Sequence, residues 1–472
     1  MAKPTGFLEY SRLDPDKRTV QERIRDHREI EQMLSPDNLI LQAARCMDCG
    51  VPSCHAYGCP LFNRIPDWND MVYAGHWKRA LDLLHATNNF PEIAGRICPA
   101  PCETACTLGI NQPPVSIRHI ELQIAERGFD EGWIRPEIGA HATGKRVAVI
   151  GSGPAGLAAA QQLARAGHGV VVFEKDDRIG GLLRYGIPDF KMEKRVIDRR
   201  LEQMRGEGVR FETGVLAGLD ISPRFLSRSF DAILITAGAT VPRDLDVPGR
   251  DLEGIQFAMA FLAQQNRVNA GDDVPDPISA RGKDVVVVGG GDTGSDCIGT
   301  ARRQGAKSVT QIEILPEPPR ERHPENPWPE WPNILRRSTS HEEGCDRQWG
   351  VLTKGFRGEG GRVRVLECVR VDWSGPDAAG RRSYQEIPGS AFEIKADLVL
   401  FATGFVHVEH GPLVQDLGLR LDGRGNIEVD SGFMTSAEGV FAAGDSVTGA
   451  SLVVRAIWQG RQAAEGIKGF LG

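Results

Sequence analysis

The run Lys145-Arg-Val-Ala-Val-Ile-Gly151-Ser-Gly153-Pro-Ala-Gly156 has the pattern of a strand that turns directly into a helix. Its apolar half is typical of a buried parallel strand, and the Ala- and Leu-rich residues 157–166 have helical periodicity. In such a pattern the first glycine allows a tight turn, the second lets the backbone approach a pyrophosphate, and the third lets helix and strand pack closely. The sequence therefore predicts a dinucleotide-binding unit that begins near residue 145.

An acidic residue follows where such a unit needs a ribose ligand. A second apolar strand, residues 169–173, ends in Glu174, about twenty residues after the glycines, where a carboxylate can accept from a ribose diol. An isolated glycine pattern often marks an ordinary loop, but here strand, helix and acid occur together. The expected contacts with this first dinucleotide are Gly151, Ser152, Gly153, Pro154, Ala155, Gly156, Glu174 and Lys175.

The same pattern returns about 140 residues later. A strand over residues 283–288 leads into Gly289-Gly-Gly291-Asp-Thr-Gly294, a helix through Arg303, and a strand over residues 308–312 that ends in Glu313. Two units of this kind in one chain predict two dinucleotide sites. The expected contacts in the second site are Gly289, Gly291, Asp292, Thr293, Gly294 and Glu313.

The order of the segments indicates which dinucleotide each unit binds. In oxidoreductases with two dinucleotides, the flavin domain is usually split by an inserted nicotinamide domain, and its closing segment carries a strand followed by Gly-Asp. Residues 440–445 fit this description, so Asp445 is expected near the ribityl and pyrophosphate region of FAD; a turn aspartate is the alternative. The remaining expected cofactor contacts lie in the loop over residues 178–188, in two turns after apolar strands and in the closing segment: Gly181, Leu182, Gly238, Gly404, Gly444, Ser451 and Leu452.

Seven of the ten cysteines precede these units and form two runs. The runs are Cys46-Met-Asp-Cys49-Gly-Val-Pro-Ser-Cys54, closing at Cys59-Pro60, and Cys98-Pro-Ala-Pro-Cys102-Glu-Thr-Ala-Cys106. Short Cys-x-x-Cys loops let thiolates converge on one centre, and clustered thiolates that end in Cys-Pro are typical of iron-sulfur proteins. Structural zinc and disulfides are the alternatives. We favour iron-sulfur, because the two dinucleotide units downstream indicate redox chemistry, in which an iron-sulfur cluster can carry electrons.

Composition limits the remaining classes of protein. The 472 residues are 25% charged and 41% hydrophobic, which is typical of a globular protein of roughly two to four domains. The chain has no run of eighteen apolar residues and no signal-peptide core, so a cytoplasmic protein without a membrane partner is expected. The net charge of -7 argues against a nucleic-acid partner, and the mixed-charge residues 16–31 are predicted to form a solvated helix face.

Together these patterns predict an α/β protein with two Rossmann-like dinucleotide-binding domains, a split FAD domain and an inserted NAD(P)H domain, preceded by an α-helical iron-sulfur domain. The predicted ranges are 1–143 for the helical domain, 144–255 with 405–472 for the FAD domain, and 256–404 for the NAD(P)H domain. No side chain is expected to act as an acid or a nucleophile, because a flavin and clusters supply the chemistry.

Five segments resemble the small (beta) subunit of glutamate synthase, and the resemblance covers essentially the whole chain. They are Lys3-Pro-Thr-Gly-Phe-Leu-Glu-Tyr10, Arg45-Cys-Met-Asp-Cys-Gly50, Ile65-Pro-Asp-Trp-Asn69, Asn88-Asn-Phe-Pro-Glu92 and Leu182-Leu-Arg-Tyr-Gly-Ile-Pro-Asp-Phe-Lys191. The N-terminal half of dihydropyrimidine dehydrogenase and the large subunits of bifurcating ferredoxin:NADP oxidoreductases share this plan.

The resemblance implies two 4Fe-4S clusters whose ligands interleave along the chain. One cluster would be held by Cys46, Cys49, Cys54 and Cys106. The other would be held by Cys59, Cys98 and Cys102 with a ligand that is not cysteine, for which Glu121 is available. The alternative for Glu121 is an ordinary carboxylate on a helix surface.

The same resemblance implies a function. The chain would oxidise NAD(P)H at FAD and pass electrons through the clusters to a large (alpha) subunit, in a hetero-oligomer that makes L-glutamate from glutamine and 2-oxoglutarate. A subunit of the same build that serves another partner enzyme is the alternative. A flavin disulfide reductase is disfavoured because no Cys-x-x-Cys follows Cys106, and a non-enzymatic scaffold would leave both dinucleotide units unused.

Glu313 bears on the choice of nicotinamide. Subunits of this kind that use NADPH tend to place paired arginines just after that strand, to meet the 2'-phosphate. A carboxylate would repel that phosphate and accept from a free 2'-OH, so we favour NADH over NADPH. Arg320 and Arg322 remain within reach of a phosphate as an alternative.

Overall fold

Helices make up the N-terminal part of the protein, of which a computed structural model describes residues 3–375 and 382–472. The α-helices are α1 (Gly6–Glu9), α2 (Val20–Arg23), α3 (Pro36–Ala44), α4 (Ile65–Tyr73), α5 (Trp77–His85), α6 (Pro91–Ile97), α7 (Pro101–Thr104) and α8 (Ile117–Asp130), with a π-helical turn at Cys54–Gly58 and a 3-10 turn at Thr107–Ile110. Helix α5 shows the amphipathic pattern: Trp77, Ala80, Leu81 and Leu84 lie on one face and are buried.

Strands and helices alternate in the rest of the chain. The first group is β1 (Arg146–Ile150), α9 (Pro154–Arg165), β2 (Gly169–Glu174), α10 (Leu182–Tyr185), α11 (Arg195–Gly206), β3 (Arg210–Thr213), α12 (Pro223–Ser229) and β4 (Ala232–Ile235). The second group is β5 (Ile255–Phe257), α13 (Ala258–Asn269), β6 (Asp284–Val288), α14 (Asp292–Arg303), β7 (Ser308–Glu313), α15 (Thr339–Glu342), β8 (Asp346–Trp349), β9 (Val351–Glu359), β10 (Arg362–Trp373), β11 (Tyr384–Glu386), β12 (Phe392–Lys395) and β13 (Leu398–Phe401). The last group is α16 (Pro412–Asp416), β14 (Val440–Ala442), α17 (Asp445–Thr448) and α18 (Val453–Leu471).

The first sheet combines strands from two distant parts of the chain. Its five parallel strands have the order β14-β4-β1-β2-β3. Ile150 pairs with Phe173 on one side and with Ile235 on the other, so the carboxyl ends of three strands meet at one edge. Strand β14 pairs with β4 although the whole second group of elements separates them in sequence. The predicted split domain is confirmed by this arrangement.

The second sheet repeats the plan inside this split. Its five parallel strands have the order β5-β13-β6-β7-β8. A separate antiparallel sheet of β9, β10, β11 and β12 lies between β8 and β13 in sequence. The sequence analysis did not predict this antiparallel sheet, because its half-buried strands carry no glycine motif.

The two connections between the parallel sheets run side by side. Val241 donates its backbone N-H to the carbonyl of His407 at 3.2 Å, and Arg243 donates to the carbonyl of Gly404 at 2.9 Å. The turns at residues 236–238 and 402–404 therefore precede a pair of hydrogen-bonded crossings.

The helical part and the first sheet share one hydrophobic core. Residues such as Trp68 and Ile120 belong to the same buried cluster as Val149 and Ile457. The second sheet has buried clusters of its own on each face. The helical part is thus packed onto the first sheet as a continuous body.

The prediction for residues 16–31 is wrong. The only α-helix there is the four-residue α2, and the backbone of Lys17 bridges that of Glu31. Arg23 is 2% exposed and donates to Glu343 of the inserted part at 2.7 Å. The segment is not a solvated helix, because several of its charges pair with other parts of the protein; Glu31, for example, pairs with Arg118 at 2.9 Å. Among the helices of residues 3–375 and 382–472, none is long and apolar enough to cross a membrane.

The buried ion pair between Arg200 of α11 and Glu92 of α6 joins the two parts of the shared core. Its two hydrogen bonds are 2.8 and 2.7 Å long, and the side chains are 2% and 0% exposed. Arg200→Met leaves the Glu92 carboxylate buried and unpaired, so we expect a loss of about 3 to 5 kcal/mol in the free energy of unfolding. Urea denaturation followed by circular dichroism measures it.

Arg357→Met is the matched control for this experiment. Arg357 pairs with Glu393, and their side chains are 53% and 58% exposed. Such a surface pair contributes at most about 1 kcal/mol. An effect of Arg200→Met no larger than that of Arg357→Met would contradict the role given to the buried pair.

Candidate cofactor-binding sites

The turn between β1 and α9 is shaped by two glycines and leaves a third one open. Gly151 has φ of +100°, and a Cβ there would lie 2.5 Å from the carbonyl oxygen of Thr236. A Cβ on Gly156 would lie 2.1 Å from the oxygen of Gly151. Gly153 begins α9 without a side-chain cap, and no atom lies within 4 Å of a Cβ placed there. An uncapped helix N-terminus beside open space suits an anionic phosphate.

Glu174 is held beside this turn by hydrogen bonds. Its Oε2 accepts from the backbone N-H of Ser152 at 3.0 Å, and its Oε1 accepts from that of Asp176 at 3.0 Å. The side chain is buried, with 5% of the residue exposed. The carboxylate therefore stands at the end of β2, in the position that the sequence predicted; Lys175 beside it is exposed.

The segment after Glu174 lies over the turn. Gly180 donates its N-H to Ser152 Oγ at 2.9 Å, and a Cβ on Gly181 would lie 3.0 Å from the Cα of Gly153. Exposed Leu182 begins the short helix α10, which the sequence analysis treated as loop. Asn266 of α13 donates to the carbonyls of Tyr185 and Ile187, at 3.0 Å each, so the segment also contacts the inserted part.

The closing segment reaches the same turn. A Cβ on Gly444 would lie 2.8 Å from the Cβ of Ala155. Gly238 donates its N-H to Ser446 Oγ at 2.9 Å, a partner that no sequence spacing indicated. Asp445 accepts from Ser451 Oγ at 2.8 Å, and burial raises the pKa of its carboxyl to about 6. Leu452 comes directly before helix α18.

The second turn has the same geometry. Gly289 has φ of +122°, and a Cβ there would lie 2.3 Å from the oxygen of Ala402. A Cβ on Gly294 would lie 2.5 Å from the oxygen of Gly289, whereas Gly291 has open space around it. Glu313 Oε2 accepts from the N-H of Gly290 at 2.6 Å, as Glu174 does from Ser152.

Three other predicted residues complete the description of this second turn. Asp292 and Thr293 form the first turn of helix α14, and Asp292 is exposed. Gly404 has φ of +83°, lies at the crossing and has open space around it.

Four of the seven N-terminal cysteines form one set. Burial raises the pKa of the Cys46 thiol to about 12, and Cys106 and Cys49 also raise it. The pKa of Cys54 is raised by burial and then by Cys106, Cys46 and Cys49. Cys46, Cys49, Cys54 and Cys106 are therefore neighbours, although the last is far from the others in sequence.

The other three cysteines, Cys59, Cys98 and Cys102, lie near Glu121. The pKa of Cys98 is raised to about 12 by burial, with contributions from Glu121 and Cys59. The pKa of Cys102 is also raised, by burial and by Cys59, Cys98 and Glu121. Close packing brings the loops together, because a Cβ on Gly58 would lie 2.8 Å from the Cα of Cys102.

Glu121 is not a surface carboxylate. It is 6% exposed on α8, and burial raises its pKa to about 7. Its Oε1 accepts from Asn88 at 2.7 Å and from Asn63 at 3.3 Å. Neither amide was predicted by the sequence analysis. Two neutral donors orient the carboxyl group without neutralising it.

The remaining cysteines lie in the inserted part, and no disulfide joins any two cysteines of residues 3–375 and 382–472. Cys297 and Cys368 are fully buried in different hydrophobic clusters, and Cys345 is partly buried. Across residues 3–375 and 382–472, no three His, Cys, Asp or Glu side chains are placed to hold a single metal ion.

Two family models match the chain. Residues 145–460 match the pyridine nucleotide-disulphide oxidoreductase family. Residues 23–133 match the family described as dihydropyrimidine dehydrogenase domain II, 4Fe-4S cluster, which favours iron-sulfur over zinc for the cysteines. The fold resembles that of FprA from Mycobacterium tuberculosis in complex with NADPH, with a TM-score of 0.55 and 19% identity over 70% of this chain and 85% of that chain.

Curated relatives match over the whole length. The glutamate synthase [NADPH] small chain of Mycobacterium tuberculosis is 54% identical over 100% of this chain and 96% of that protein. The glutamate synthase [NADH] of Schizosaccharomyces pombe is 47% identical over 98% of this chain and 22% of that longer protein. The resemblance seen in the sequence is thus confirmed, and the chain belongs to the glutamate synthase small-chain family, with a pyridine nucleotide-disulphide oxidoreductase module over residues 145–460.

Proposed function

We propose that this chain is the electron-input subunit of a glutamate synthase. It oxidises NAD(P)H at FAD and supplies electrons through two 4Fe-4S clusters to a large (alpha) subunit that makes L-glutamate from glutamine and 2-oxoglutarate. The observation that carries this proposal is the gathering of seven cysteines and Glu121 into two sets beside a module with two dinucleotide turns. When bound, FAD accepts two electrons from a nicotinamide and each cluster carries one.

The proposed FAD site is built on the first turn and the proposed NAD(P)H site on the second. The open spaces at Gly153 and Gly291 leave room for two pyrophosphates, and Glu174 and Glu313, which lie beside the two turns, would accept hydrogen bonds from the ribose diols. Gly181, Gly238, Gly444 and Asp445 would line the FAD side. The corresponding domains are residues 1–143, residues 144–255 with 405–472, and residues 256–404.

The proposed cluster ligands follow the two sets. Cys46, Cys49, Cys54 and Cys106 would hold the first cluster, and Cys59, Cys98, Cys102 and Glu121 the second. The donor chemistry supports this assignment, because thiolates bind iron-sulfur clusters and the buried Glu121 carboxyl lies near the other three thiols. Cysteines that serve as metal ligands also suit a reducing compartment such as the cytoplasm.

The large subunit is proposed as a separate chain. In the Schizosaccharomyces pombe relative, the part that matches this chain is 22% of one longer glutamate synthase. The rest of that protein would correspond to the partner in a hetero-oligomer here. We propose neither a membrane nor a nucleic acid as a partner.

A coupled assay tests the division of labour. Alone, the chain is expected to reduce ferricyanide with NAD(P)H but to make no glutamate, and a glutamate synthase large subunit from the same source should restore synthesis. Cys98→Ser should abolish the coupled reaction and leave NAD(P)H oxidation near wild type, because the cysteines and the dinucleotide turns lie on different elements.

Cys345→Ser is the control, since this thiol lies in the inserted part and donates to the carbonyl of Asp346. Glutamate synthesis by the isolated chain, or a coupled reaction that survives loss of the clusters, would refute the proposal. Dye reduction without coupling to any such large subunit would favour a different partner enzyme.

Glu121→Ala tests the second set. Wild-type protein reconstituted anaerobically should contain about eight iron atoms per chain, four for each cluster. The variant should lose iron or hold one cluster that oxygen destroys, while FAD content stays unchanged. Glu131→Ala, at the exposed end of the same helix, should behave as wild type. Two intact clusters with unaltered spectra in Glu121→Ala, or stoichiometric zinc without sulfide in the wild type, would contradict the assignment.

The choice of NADH is the last part of the proposal. The names of the relatives do not decide it, because one carries [NADPH] and the other [NADH]. Glu313 supports NADH because it occupies the position in the second turn that Glu174 occupies in the first. A carboxylate there accepts from a free 2'-OH and repels a phosphate.

Glu313→Arg should change the nicotinamide preference. We expect kcat/KM to favour NADH in the wild type and the variant to shift the ratio toward NADPH by about 1 to 3 kcal/mol, the value of one charge-assisted contact. Ferricyanide reduction with each nicotinamide measures both ratios. Glu359→Arg, an equal charge change at the exposed end of β9, is the control. A tenfold wild-type preference for NADPH would contradict this choice and implicate Arg320 or Arg322.

A further inference from the structure

Arg45 is a fully buried arginine directly before the first cysteine. It follows helix α3 and is 1% exposed. Its guanidinium donates to three backbone carbonyls: that of Tyr10 at 3.0 Å, that of Pro114 at 2.9 Å and that of Pro113 at 2.7 Å. These bonds give each guanidinium nitrogen one partner but supply no full negative charge.

Two other arginines are buried as deeply, and each forms an ion pair with a carboxylate. Arg23 pairs with Glu343 at 2.7 Å, and Arg200 pairs with Glu92 at 2.7 Å. In contrast, within residues 3–375 and 382–472 no Asp or Glu forms an ion pair with Arg45. A buried charge without a counter-charge is strongly unfavourable. The environment of Arg45 therefore lacks an anion.

Asp14, the carboxylate that affects the pKa of Arg45, already pairs with another arginine. Arg12 pairs with Asp14 at 2.8 Å and with Glu103 at 2.8 Å. Burial lowers the pKa of Arg45 and Arg12 lowers it further, while the Cys106 thiol and Asp14 raise it. The thiol that interacts with Arg45 thus belongs to the first cysteine set, and so does Cys46, its neighbour in the chain.

A cluster at this set would supply the missing charge. A 4Fe-4S cluster bound by four thiolates is an anion, and its reduction adds one more negative charge. A fixed positive charge beside it stabilises the reduced form more than the oxidised form. The effect is largest where burial excludes water, as it does at Arg45.

We propose that Arg45 is the electrostatic counter-charge of the first cluster and raises its reduction potential. This inference rests on the proposed function, in which Cys46, Cys49, Cys54 and Cys106 hold that cluster. Arg45 acts through its charge and touches no reacting atom, so its role is electrostatic and not catalytic. Its consequence is that the first cluster accepts a single electron more readily than its thiolates alone would allow.

The test is an anaerobic redox titration of the full chain followed by EPR. Arg45→Met removes the charge, and we expect the potential of one cluster to fall so that its reduced-to-oxidised ratio at a fixed potential drops at least tenfold, or about 59 mV for one electron. Arg45→Lys keeps the charge and should stay closer to the wild-type potential. The other cluster should be unaffected in both variants.

Arg118→Met is the matched control. Arg118 lies near Cys98 of the second set but already pairs with Glu31 at 2.9 Å. Its removal should shift a cluster potential less than that of Arg45. An Arg45→Met protein with full iron content and a wild-type potential, or an equal shift from both methionine variants, overturns the inference.

Iron and sulfide analysis of the wild type separates the two possible failures. Absence of iron and sulfide refutes the proposed function itself. Two normal clusters whose potentials do not change in Arg45→Met refute the inference alone. Should Arg45→Met lose its first cluster, Arg45→Gln, which keeps donors for the carbonyls without the charge, is titrated instead. Loss of the cluster in all three Arg45 variants would show that Arg45 is needed for the local fold and would overturn the proposal.

Discussion

The buried bidentate contact between Glu92 and Arg200 holds the cysteine-bearing helices against the first parallel sheet. It lies inside a core that runs without interruption from Trp68 to Ile457. A hinge between these parts would expose apolar surface to water, which is unfavourable, and would pull the two paired charges apart. The two cysteine sets and the first dinucleotide turn therefore keep fixed positions, which is what electron transfer between bound cofactors requires.

The inserted part is attached differently. Its sheet has separate cores, and it meets the rest through two paired crossings and through polar contacts. Glu343, whose side chain is completely buried, accepts from Arg23 of the N-terminal segment and from Arg303 of its own domain. Arg303 also stacks on Phe190, with its guanidinium carbon 3.8 Å from the ring centre. Charged groups rather than a common core orient the second dinucleotide turn.

Buried polar groups near the two cysteine sets differ in kind. Glu121 accepts two amide hydrogen bonds, whereas Arg45 donates to backbone carbonyls and has no carboxylate partner. Burying either group has a desolvation cost, which these hydrogen bonds offset in part. Gly153 and Gly291 have open surroundings next to uncapped helices, which suit an anion.

The sequence by itself determined the two dinucleotide units, the split of the first sheet and the family. It could do so because glycine turns, apolar strands and the acids after them are local patterns with local physical causes. The tertiary structure decided what depends on residues far apart in the chain. Arg23 meets Glu343 across 320 residues, so residues 16–31 are not a solvated helix. The amides on Glu121, the partner of Gly238 and the lone charge of Arg45 likewise arise only from packing, which no spacing encodes.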